Sequence, residues 1–311
     1  MNGPQSGPQG EPASWPALAQ ARLSRLPRLP FLLLDGGRPR SVGSVAQAHL
    51  PALAALPGAG AALHIDDHGA VTLTVPAAAR DAFFAEANAR LHGQGLIVAW
   101  RDETYPVLAL PADGSAPDPE HDLLASIERA AARFWGTATF GAHCNGHVAG
   151  PDGRPERLWI ARRADSKPTD PGLLDNLIGG GVPQGQSPAE TVVREGWEEA
   201  GLTPAQMAGL QPGRVLRLAR DLPEGWQLEW LSVYDLALPA GLQPVNQDGE
   251  VQALHCWPVD QALARAAAGE MTVDASLATL DFALRHGLLP ADQATPLAAQ
   301  LQALDCGPAR C

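Results

Sequence analysis

Residues 180–202 decide how this chain is interpreted, and they read Gly-Gly-Val-Pro-Gln-Gly-Gln-Ser-Pro-Ala-Glu-Thr-Val-Val-Arg-Glu-Gly-Trp-Glu-Glu-Ala-Gly-Leu. Positions i, i+3 and i+4 of a helix share one face, so a helix here is predicted to bring Glu195, Glu198 and Glu199 together. Three carboxylates on one face repel one another. The only cation near them in this segment is Arg194. A hard divalent cation would relieve that repulsion, because Mg²⁺ and Mn²⁺ prefer oxygen ligands.

The limits of this helix are also readable from the segment. Ser187 and Glu190 have the spacing of a capping box, and Pro188 stands at the first helical position. Gly201 falls where a left-handed C-cap is expected. We therefore predict a helix over 188–200, entered from the glycine run at 179–181.

The same segment resembles the Nudix box, whose pattern is Gly-x5-Glu-x7-Arg-Glu-U-x-Glu-Glu-x-Gly-U, where U is a bulky aliphatic residue. Two positions depart from it: Gln186 replaces the first glutamate, and Gly196 replaces the aliphatic residue. Gln186 removes one peripheral charge. Gly196 costs roughly 1 kcal/mol of helix propensity relative to alanine, and a tight approach to neighbouring backbone is the expected reason for it. The matching positions are Gly180, Arg194, Glu195, Glu198, Glu199, Gly201 and Leu202.

Composition restricts the class of protein. The 311 residues suggest two domains, and 45% hydrophobic with 18% charged residues indicates a folded chain with a sizeable core. The formal net charge of −12 argues against nucleic acid and anionic membranes as partners, since both require a positive surface. The sequence has neither a run of about 18 apolar residues nor a signal-peptide pattern, so the cytoplasm is the expected location. It gives no sign of the oligomeric state.

The cysteines make no disulfide framework in a chain of this length. Cys306 and Cys311 could chelate a metal or oxidise, but we expect a frayed tail there. His143, Cys144 and His147 suggest zinc at first sight. Because alternate residues of a strand point to opposite faces and no second ligand pair follows, zinc is disfavoured.

The first part of the chain is predicted to be a disordered segment followed by a small domain. Residues 1–16 are rich in Gly, Pro, Gln and Ser, which is typical of disorder. Residues 17–118 are assigned to an α+β domain that selects the substrate, ending in a linker-like break at 111–120. Its predicted elements are strands at 61–65 and 70–75 around a turn at 66–69, a helix at 77–91, and strands at 96–100 and 104–110.

Residues 119–290 are predicted to form a second domain of the α/β class, an α/β/α sandwich built around the 188–200 helix. A helix over 123–134 should open it, because its apolar residues fall on one stripe. Residues 291–311 are assigned to a C-terminal tail. Further strands are predicted at 139–148, 157–163, 173–178, 214–220, 227–238 and 250–257, and helices at 259–268 and 275–285.

Matches outside the box narrow the resemblance to one subgroup, the Nudix hydrolases related to thiamine pyrophosphokinase. Members of that subgroup carry an extra N-terminal domain with a Trp-Arg-x-Glu-x-Tyr-x-Val stretch, which residues 100–107 fit. The resemblance covers about residues 30–290. Its other matching segments are 143–146, 158–163, Lys167, 171–176, 248–251 and 280–287.

This resemblance implies a metal-dependent hydrolase that cleaves a diphosphate linkage. The candidate substrates are thiamine diphosphate and its oxidised or damaged analogues, with phosphate and the monophosphate as products. Hydrolysis of NADH or ADP-ribose remains an alternative, and so does a non-catalytic ligand-sensing module, because Gln186 departs from the box. Isopentenyl diphosphate isomerases share a similar Arg-Arg…Lys…Pro-Gly run, but this chain has residues 177–179, Leu-Ile-Gly, where their catalytic cysteine is expected.

The resemblance also implies which residues hold the metal. Glu195, Glu198 and Glu199 would bind Mg²⁺ or Mn²⁺, helped by the backbone carbonyl near Gly179. Arg194 would brace these glutamates by an ion pair.

Catalysis and substrate binding are assigned on the same basis. A box glutamate or Glu250 would orient or deprotonate the attacking water. Arg162 and Arg163 alternate along a strand, so at most one of them is expected to face the site. Trp100 and Tyr105 are either core residues of the N-terminal domain or a stacking surface for a heterocycle. The substrate-binding candidates are Arg162, Arg163, Lys167, Asp175 and Asn176.

Overall fold

The computed structural model describes residues 14–65 and 69–309. The turn predicted at 66–69 therefore lies largely outside the described residues. The first half of the chain forms a four-stranded sheet in the order β2-β1-β4-β3 and a separate hairpin of β5 and β6. Its elements are α1 (Pro16–Gln20), β1 (Arg28–Asp35), β2 (Arg38–Ala46), α2 (Leu50–Ala54), α3 (Ala59–Ala62), β3 (Leu63–Ile65), β4 (Val71–Leu73), α4 (Arg80–Gly93), β5 (Thr104–Leu108), β6 (Leu123–Glu128) and α5 (Ala131–Trp135).

An aromatic cluster forms the core of this half. Phe31 of β1 stacks on Trp135 of α5 with ring centroids 4.8 Å apart, and Phe84 of α4 meets Trp135 edge-on at 5.5 Å. The buried indole of Trp135 donates a hydrogen bond of 2.8 Å to Asn88 Oδ1. Strands β1 and β2, which supply much of this core, are absent from the sequence prediction.

Two predicted elements of this region are wrong. Residues 96–100 do not form a strand, because Ala99 and Asp102 turn the backbone through positive φ values of 62° and 58°. Residues 123–134 do not form one helix: strand β6 comes first and the short helix α5 follows. The burial of β6 alternates, with Ala125 and Ile127 facing the core, and its backbone groups pair with β5 rather than within a helix.

The second half is built on an eight-stranded sheet in the order β13-β8-β7-β12-β11-β14, with β10 pairing β7 and β9 pairing β8. Strands β7 and β12 run parallel, whereas β7 and β8 are antiparallel. Its elements are β7 (Ala138–Ala149), β8 (Pro155–Arg163), β9 (Leu174–Asn176), β10 (Ile178–Gly181), α6 (Pro188–Ala200), α7 (Pro204–Met207), β11 (Gln211–Leu222), β12 (Gly225–Ala237), β13 (Val251–Pro258), α8 (Val259–Ala267), α9 (Val273–Arg285), α10 (Ala291–Gln302) and β14 (Asp305–Pro308).

Helices cover both faces of this sheet. One hydrophobic cluster joins α1, α8, α9 and α10 to side chains such as Leu231 and Val233 of β12. Another joins α6 and α7 to the opposite face, where Tyr234 and Leu236 of the same strand are buried. The alternation along β12 separates these two clusters, and it confirms the predicted α/β/α sandwich. Within the described ranges, no helix is long and apolar enough to cross a membrane.

Both ends of the described chain pack into this second half. Trp15 is buried, and its indole donates a 3.1 Å hydrogen bond to the Ser276 carbonyl of α9. Residues 14–16 are therefore ordered, contrary to the prediction of disorder over 1–16, and residues 1–13 lie outside the described part. The predicted tail is also wrong, because Leu297 and Leu301 of α10 are buried and β14 pairs with β11. Cys306 lies on β14, and Cys311 is outside the described residues.

The predicted domain limits of 17–118 and 119–290 differ from the packing. Helix α1 lies in the core of the second half. Strand β6 and helix α5, which follow residue 118, lie in the core of the first half. A division drawn from these cores places the limit after Trp135 and attaches the chain's first helix to the second half.

Candidate active site

Helix α6 begins and ends where the sequence predicts. Ser187 Oγ accepts a hydrogen bond of 3.2 Å from the Glu190 amide, and Glu190 Oε2 accepts one of 2.8 Å from the Ser187 amide. Gly201 adopts the left-handed conformation at φ 65° and ends the helix. These caps fix the helix as a rigid carrier of Arg194 and the three glutamates.

The three glutamates of α6 have different hydrogen-bond partners. Arg194 donates 2.8 Å hydrogen bonds to both Glu195 Oε1 and Glu198 Oε2. Glu199 is buried and accepts a 2.8 Å hydrogen bond from the Gly179 amide. Over residues 14–65 and 69–309, no group of three or more His, Cys, Asp or Glu side chains is arranged to hold a metal ion. In this arrangement Arg194 and the Gly179 amide take up oxygens of the three glutamates, and the metal site that the sequence predicts stays a prediction.

Burial dominates the protonation of two of these carboxylates. It raises the pKa of Glu195 to about 7, although Arg194 acts in the opposite direction. It raises the pKa of Glu199 well above its ordinary value, and the charge of Glu195 adds to that shift. Arg194, Arg129 and Lys167 thus offset the effect of burial on these carboxylates only in part.

Strand β10 approaches these side chains closely because its last three residues are glycines. A Cβ atom on Gly180 would collide with the Glu195 carboxylate, and one on Gly181 would collide with the Tyr105 hydroxyl. Neighbouring residues of a strand point to opposite faces. The glycine run therefore lets Glu195 lie against one face of the strand and Tyr105 against the other.

The two departures from the box pattern have local explanations. A Cβ atom on Gly196 would lie 3.1 Å from the Met207 side chain and 3.2 Å from Ile178, so the tight approach is to side chains rather than to backbone. Gln186 Oε1 accepts hydrogen bonds from Arg194 Nε at 3.4 Å and Thr191 Oγ1 at 3.2 Å. Gln186 thus helps to orient Arg194 without supplying charge.

Glu250 lies in the lining of the same cavity, where it is bound by two cations. One carboxylate oxygen accepts a hydrogen bond from Lys167 Nζ, and the other accepts a 3.2 Å hydrogen bond from Arg101 Nη1. Burial alone would raise the pKa of Glu250, but Lys167 and Arg101 together bring it below its ordinary value. Arg101 belongs to the first half of the chain, and the sequence prediction missed it.

The remaining predicted substrate-binding residues divide into two groups. Arg163 and Asp175 line the cavity and are joined by a 2.8 Å hydrogen bond, and Lys167 lines it as well. Arg162 is bound to Asp165 at 3.0 Å, outside the cavity lining. Of the two arginines, Arg163 therefore lies in the cavity lining, whereas Arg162 does not.

Asn176 is buried beneath the cavity rather than exposed in it. Its amide nitrogen donates to Asn145 Oδ1 at 2.9 Å and to Thr279 Oγ1 at 3.1 Å. Its Oδ1 lies 2.9 Å from the His143 Nδ1. These partners hold His143 and the floor of the cavity in place, so Asn176 is not positioned to bind substrate directly.

The first half of the chain supplies one wall of the cavity through residues of β5 and the turn after β6. Arg129 lies over the Tyr105 ring at 5.6 Å and donates a 2.9 Å hydrogen bond to Glu103. Trp100 instead donates to Asp102 and lies against His92. Tyr105 is within the matched 100–107 stretch, whereas no sequence signal points to Arg129. The cavity-lining residues of this wall are Arg101, Glu103, Tyr105, Arg129, Ala132 and Arg133.

A further part of the cavity lies over the β7–β12 pair and was missed by the sequence prediction. Glu229 of β12 accepts a 3.2 Å hydrogen bond from Thr139 Oγ1. Asp274, in the first turn of α9, accepts from Gln227 Nε2 at 3.3 Å. The lining residues here include Thr139, His143, Asp170, Trp226, Gln227, Glu229, Thr272 and Asp274.

Comparison with known families identifies the second half. The family model described as the NUDIX domain matches residues 147–275, which contain α6 and its glutamates. The chain carries a Nudix domain. The Nudix domain of this chain therefore supplies the acidic helix, and the preceding half supplies the wall that contains Tyr105 and Arg129.

Named relatives are similar to this chain over a little less than two thirds of its length. Nudix hydrolase 20, chloroplastic, of Arabidopsis thaliana is 37% identical over 201 residues, which are 64% of this chain and 51% of that protein. The uncharacterized protein YJR142W of Saccharomyces cerevisiae is 29% identical over 208 residues, 62% of this chain and 57% of that protein. The chain thus spans about half the length of the plant relative.

Solved structures of other proteins overlap this chain only in part. The DR0079 protein of Deinococcus radiodurans aligns with 63% of this chain and 98% of its own, at 20% identity and a TM-score of 0.38. The MutT protein of Methanosarcina mazei aligns with 46% of this chain and 90% of its own, at 19% identity and a TM-score of 0.33.

Proposed function

We propose that this chain is a metal-dependent hydrolase that cleaves the phosphoanhydride bond of a diphosphate. The observation that carries the proposal is the charge arrangement of one cavity. Glu195 and Glu198 of α6 line one side, and Lys167, Arg101 and Arg163 line the others. A diphosphate brings negative charge that these cations can bind, and hydrolysis requires a further cation at the carboxylates.

The residues of α6 fit a hard divalent cation in their donor chemistry. Glu195 and Glu199 are carboxylates whose burial and mutual repulsion raise their pKa values, and a cation would offset both effects. Arg194 already places a positive charge between Glu195 and Glu198. Glu195, Glu198, Glu199 and the carbonyl of Gly179 would hold Mg²⁺ or Mn²⁺. When bound, the ion would neutralise phosphate oxygens and lower the pKa of a water molecule.

Protein groups on the opposite side would bind and orient the diphosphate. Lys167 and Arg101 are held at the cavity by Glu250, and Arg163 is held by Asp175. Because Glu250 is ionised and both its oxygens accept hydrogen bonds from these cations, we assign it to positioning Lys167 and Arg101. The role of base is then left to a glutamate of α6.

For the substrate we propose thiamine diphosphate or its oxidised and damaged analogues, with phosphate and the monophosphate as products. The support is the residue-by-residue resemblance to the subgroup related to thiamine pyrophosphokinase, including residues 100–107. Tyr105 of that stretch lines the cavity, so the part of the sequence that defines the subgroup lies where it can contact substrate.

To test this proposal, the products released by the purified full chain are measured in Mg²⁺ and in Mn²⁺. The panel contains thiamine diphosphate, its oxidised forms, ADP-ribose, NADH and nucleoside triphosphates. We expect the thiamine-type diphosphates to give the highest kcat/KM. If only another member of the panel were hydrolysed, the proposed substrate would be wrong and the proposed reaction would stand. If no diphosphate were hydrolysed with either metal, the enzyme proposal would fail.

A further inference from the structure

Strand β10 has an edge that the cavity surrounds. Among the strands of the described residues, β10 pairs only with β7, and its three glycines, 179–181, all line the cavity. Glu195 lies against Gly180 on one face of the strand, and Tyr105 lies against Gly181 on the other. The cavity therefore reaches protein groups on both faces of this strand.

Two hydrogen-bond donors meet over Gly181. A Cβ atom on Gly181 would collide with the Tyr105 hydroxyl and would lie 3.1 Å from Arg129 Nη2, so both groups use the space that glycine leaves. The guanidinium also lies over the Tyr105 ring at 5.6 Å, an attractive contact that holds the two side chains together. We call Tyr105 and Arg129 over Gly181 the donor pair.

The Tyr105 hydroxyl is not used by the protein. Tyr105 is 3% exposed, and among the described residues its hydroxyl has no hydrogen-bond partner. Burial raises the pKa of Tyr105 by more than the charge of Arg129 lowers it, so the hydroxyl keeps its proton. Buried hydroxyls are normally paired. This proton is therefore available to an acceptor that enters the cavity.

Arg129 also keeps donors for a ligand. Its Nη1 donates a 2.9 Å hydrogen bond to the Glu103 carboxylate, and its backbone amide donates one of 2.9 Å to the Glu103 carbonyl. A guanidinium carries five N–H donors, and within the described part of the chain Nη2 and Nε have no hydrogen-bond partner. Glu103 thus fixes the position of Arg129 and leaves Nη2 beside the Tyr105 hydroxyl.

We propose that the donor pair binds a phosphate group of the diphosphate substrate. Charged phosphate oxygens accept from the Tyr105 O–H and the Arg129 Nη2–H at one place, which pairs both unused donors. The first half of the chain thereby supplies phosphate contacts beyond that of Arg101, on the sheet face opposite to α6. The inference rests on the proposed function, because the ligand is the substrate of that reaction.

Two carboxylates act on the donor pair, and the protein already binds both. The charges of Glu229 and Glu195 add to the effect of burial on the pKa of Tyr105, so both lie near it. Glu195 accepts from Arg194 at 2.8 Å, and Glu229 accepts from Thr139 Oγ1 at 3.2 Å. Burial raises the pKa of Glu229, so it takes up a proton more readily and repels an anion less.

Other classes of ligand satisfy the donor pair less well. A cationic group would be repelled by Arg129 and would leave the Tyr105 proton without an acceptor. A neutral acceptor would pair with Tyr105 but gain less from the guanidinium, because hydrogen bonds between two charged groups are the stronger ones. An apolar group would cover both donors without pairing either of them, which is costly for buried polar groups.

The first experiment observes Tyr105 directly. The full chain is labelled with 3-fluorotyrosine, and Tyr234→Phe assigns the fluorine resonances of its two tyrosines. Methylenediphosphonate, a diphosphate analogue that cannot be hydrolysed, is titrated in Mg²⁺, and inorganic phosphate is titrated in parallel. We expect both to shift the Tyr105 resonance in a saturable manner and to leave Tyr234 unchanged.

Two outcomes of this titration would overturn the proposal. One is a Tyr105 resonance that responds to neither probe. The other is a response to inorganic phosphate alone, because the donor pair would then hold released phosphate and not the substrate. Neither titration needs turnover, so failure of the hydrolase proposal would appear separately, in product release.

The second experiment removes the donors one at a time. Tyr105→Phe removes only the hydroxyl, and Arg129→Gln removes the charge. We expect each to weaken methylenediphosphonate binding about tenfold in titration calorimetry, the size of one hydrogen bond to a charged group. Arg90→Gln removes an exposed arginine of α4 in the same half, and it should change the affinity by less than about twofold.

An unaltered affinity in either donor variant, or an equal loss in Arg90→Gln, would overturn the proposal. Circular dichroism checks the fold of each variant. If Arg129→Gln does not fold, Arg129→Lys serves for the same measurement, because lysine keeps the charge but lacks the planar fork of donors.

Discussion

The two walls of the cavity differ in how the sequence encodes them. In the Nudix wall, Glu195, Glu198 and Glu199 lie on one helix whose caps and spacing are local features. In the wall from the first half, Tyr105 comes from β5 and Arg129 from the turn after β6, and no fixed spacing relates them. Local periodicity therefore reveals the acidic helix, whereas the opposite wall forms because β5 pairs with β6 and Tyr105 of β5 lies against Gly181 of β10.

The walls also show how burial and neighbouring cations together set the pKa of a carboxylate. Burial raises the pKa of Glu195 to about 7, with Arg194 as its main opposing cation. Glu250 is also partly buried, yet Lys167 and Arg101 hold its pKa below the ordinary value. The same residue type is thus poised to take a further cation on one side of the cavity and is already neutralised on the other.

The sharpest test of this contrast concerns the Nudix wall. We expect Glu199→Gln to lower kcat by at least about a hundredfold, since removing one anionic ligand weakens a hard-cation site. The amide of glutamine can still accept from Gly179, so circular dichroism should show an unchanged fold. Product release in Mg²⁺ measures the effect, with Glu198→Gln expected to behave similarly. Glu190→Gln, on the same helix but in its cap, is the matched control. Near-normal turnover in both Glu199→Gln and Glu198→Gln would remove α6 from the catalytic centre.

A stability test asks to which half the start of the described chain belongs. Trp15 is buried against α9, so Trp15→Ala should lower the free energy of unfolding by about 3 kcal/mol. Urea denaturation provides the measurement. Trp197→Ala, at a position 53% exposed on α6, should change it by less than about 0.5 kcal/mol. If both variants changed the free energy of unfolding by the same small amount, α1 would not be part of the Nudix core.

The cationic side of the cavity can be probed with two arginines. Arg101→Gln should raise KM for the diphosphate about tenfold, because a charge-assisted hydrogen bond to phosphate is lost. Arg162→Gln, which removes an equal charge outside the cavity lining, should change KM by less than about twofold. Steady-state kinetics on both variants gives the comparison. Similar increases in the two would point to a general charge effect rather than to a contact by Arg101.

The departure from the Nudix box pattern at Gln186 should affect kcat less than the changes above. Gln186 already orients Arg194, so Gln186→Glu should change kcat by less than about tenfold, or roughly 1.4 kcal/mol in barrier. The measurement is kcat of this variant beside that of the natural chain. A rise of several hundredfold would instead show that the natural chain is a weakened enzyme, and it would favour the ligand-sensing alternative.

The smallest effect is a pH dependence at the contact between the halves. The pKa of Glu250 is lowered in the folded chain, so its ionised form contributes stability above the ordinary value of 4.5, and that contribution is lost as pH falls below it. Because the pair with Arg101 is partly exposed, we expect less than about 1 kcal/mol. Urea titrations at pH 7 and pH 3.5 should show a smaller loss in Glu250→Gln than in the natural chain. An equal loss would place the acid sensitivity elsewhere.

The sequence by itself determined the elements whose signals are local. The capping box at Ser187, the left-handed Gly201 and the helical spacing of the glutamates specify α6, because each depends on residues within one or two turns. Alternating apolar residues likewise allowed most strands of the Nudix sheet, and with them the α/β/α sandwich, to be predicted. The tail was mispredicted although Leu297 and Leu301 of α10 have helical spacing, so that signal was present and unused.

Tertiary structure decided what depends on groups distant in the chain. Helical spacing placed the three glutamates on one side, but Arg194 and the Gly179 amide fix where their oxygens lie. Burial then raises the pKa of Glu195 and Glu199, and burial is a property of the packed sheet rather than of the helix. The contacts of Arg101 with Glu250 and of Tyr105 with Gly181 join residues 149 and 76 positions apart, and no periodicity extends over such separations.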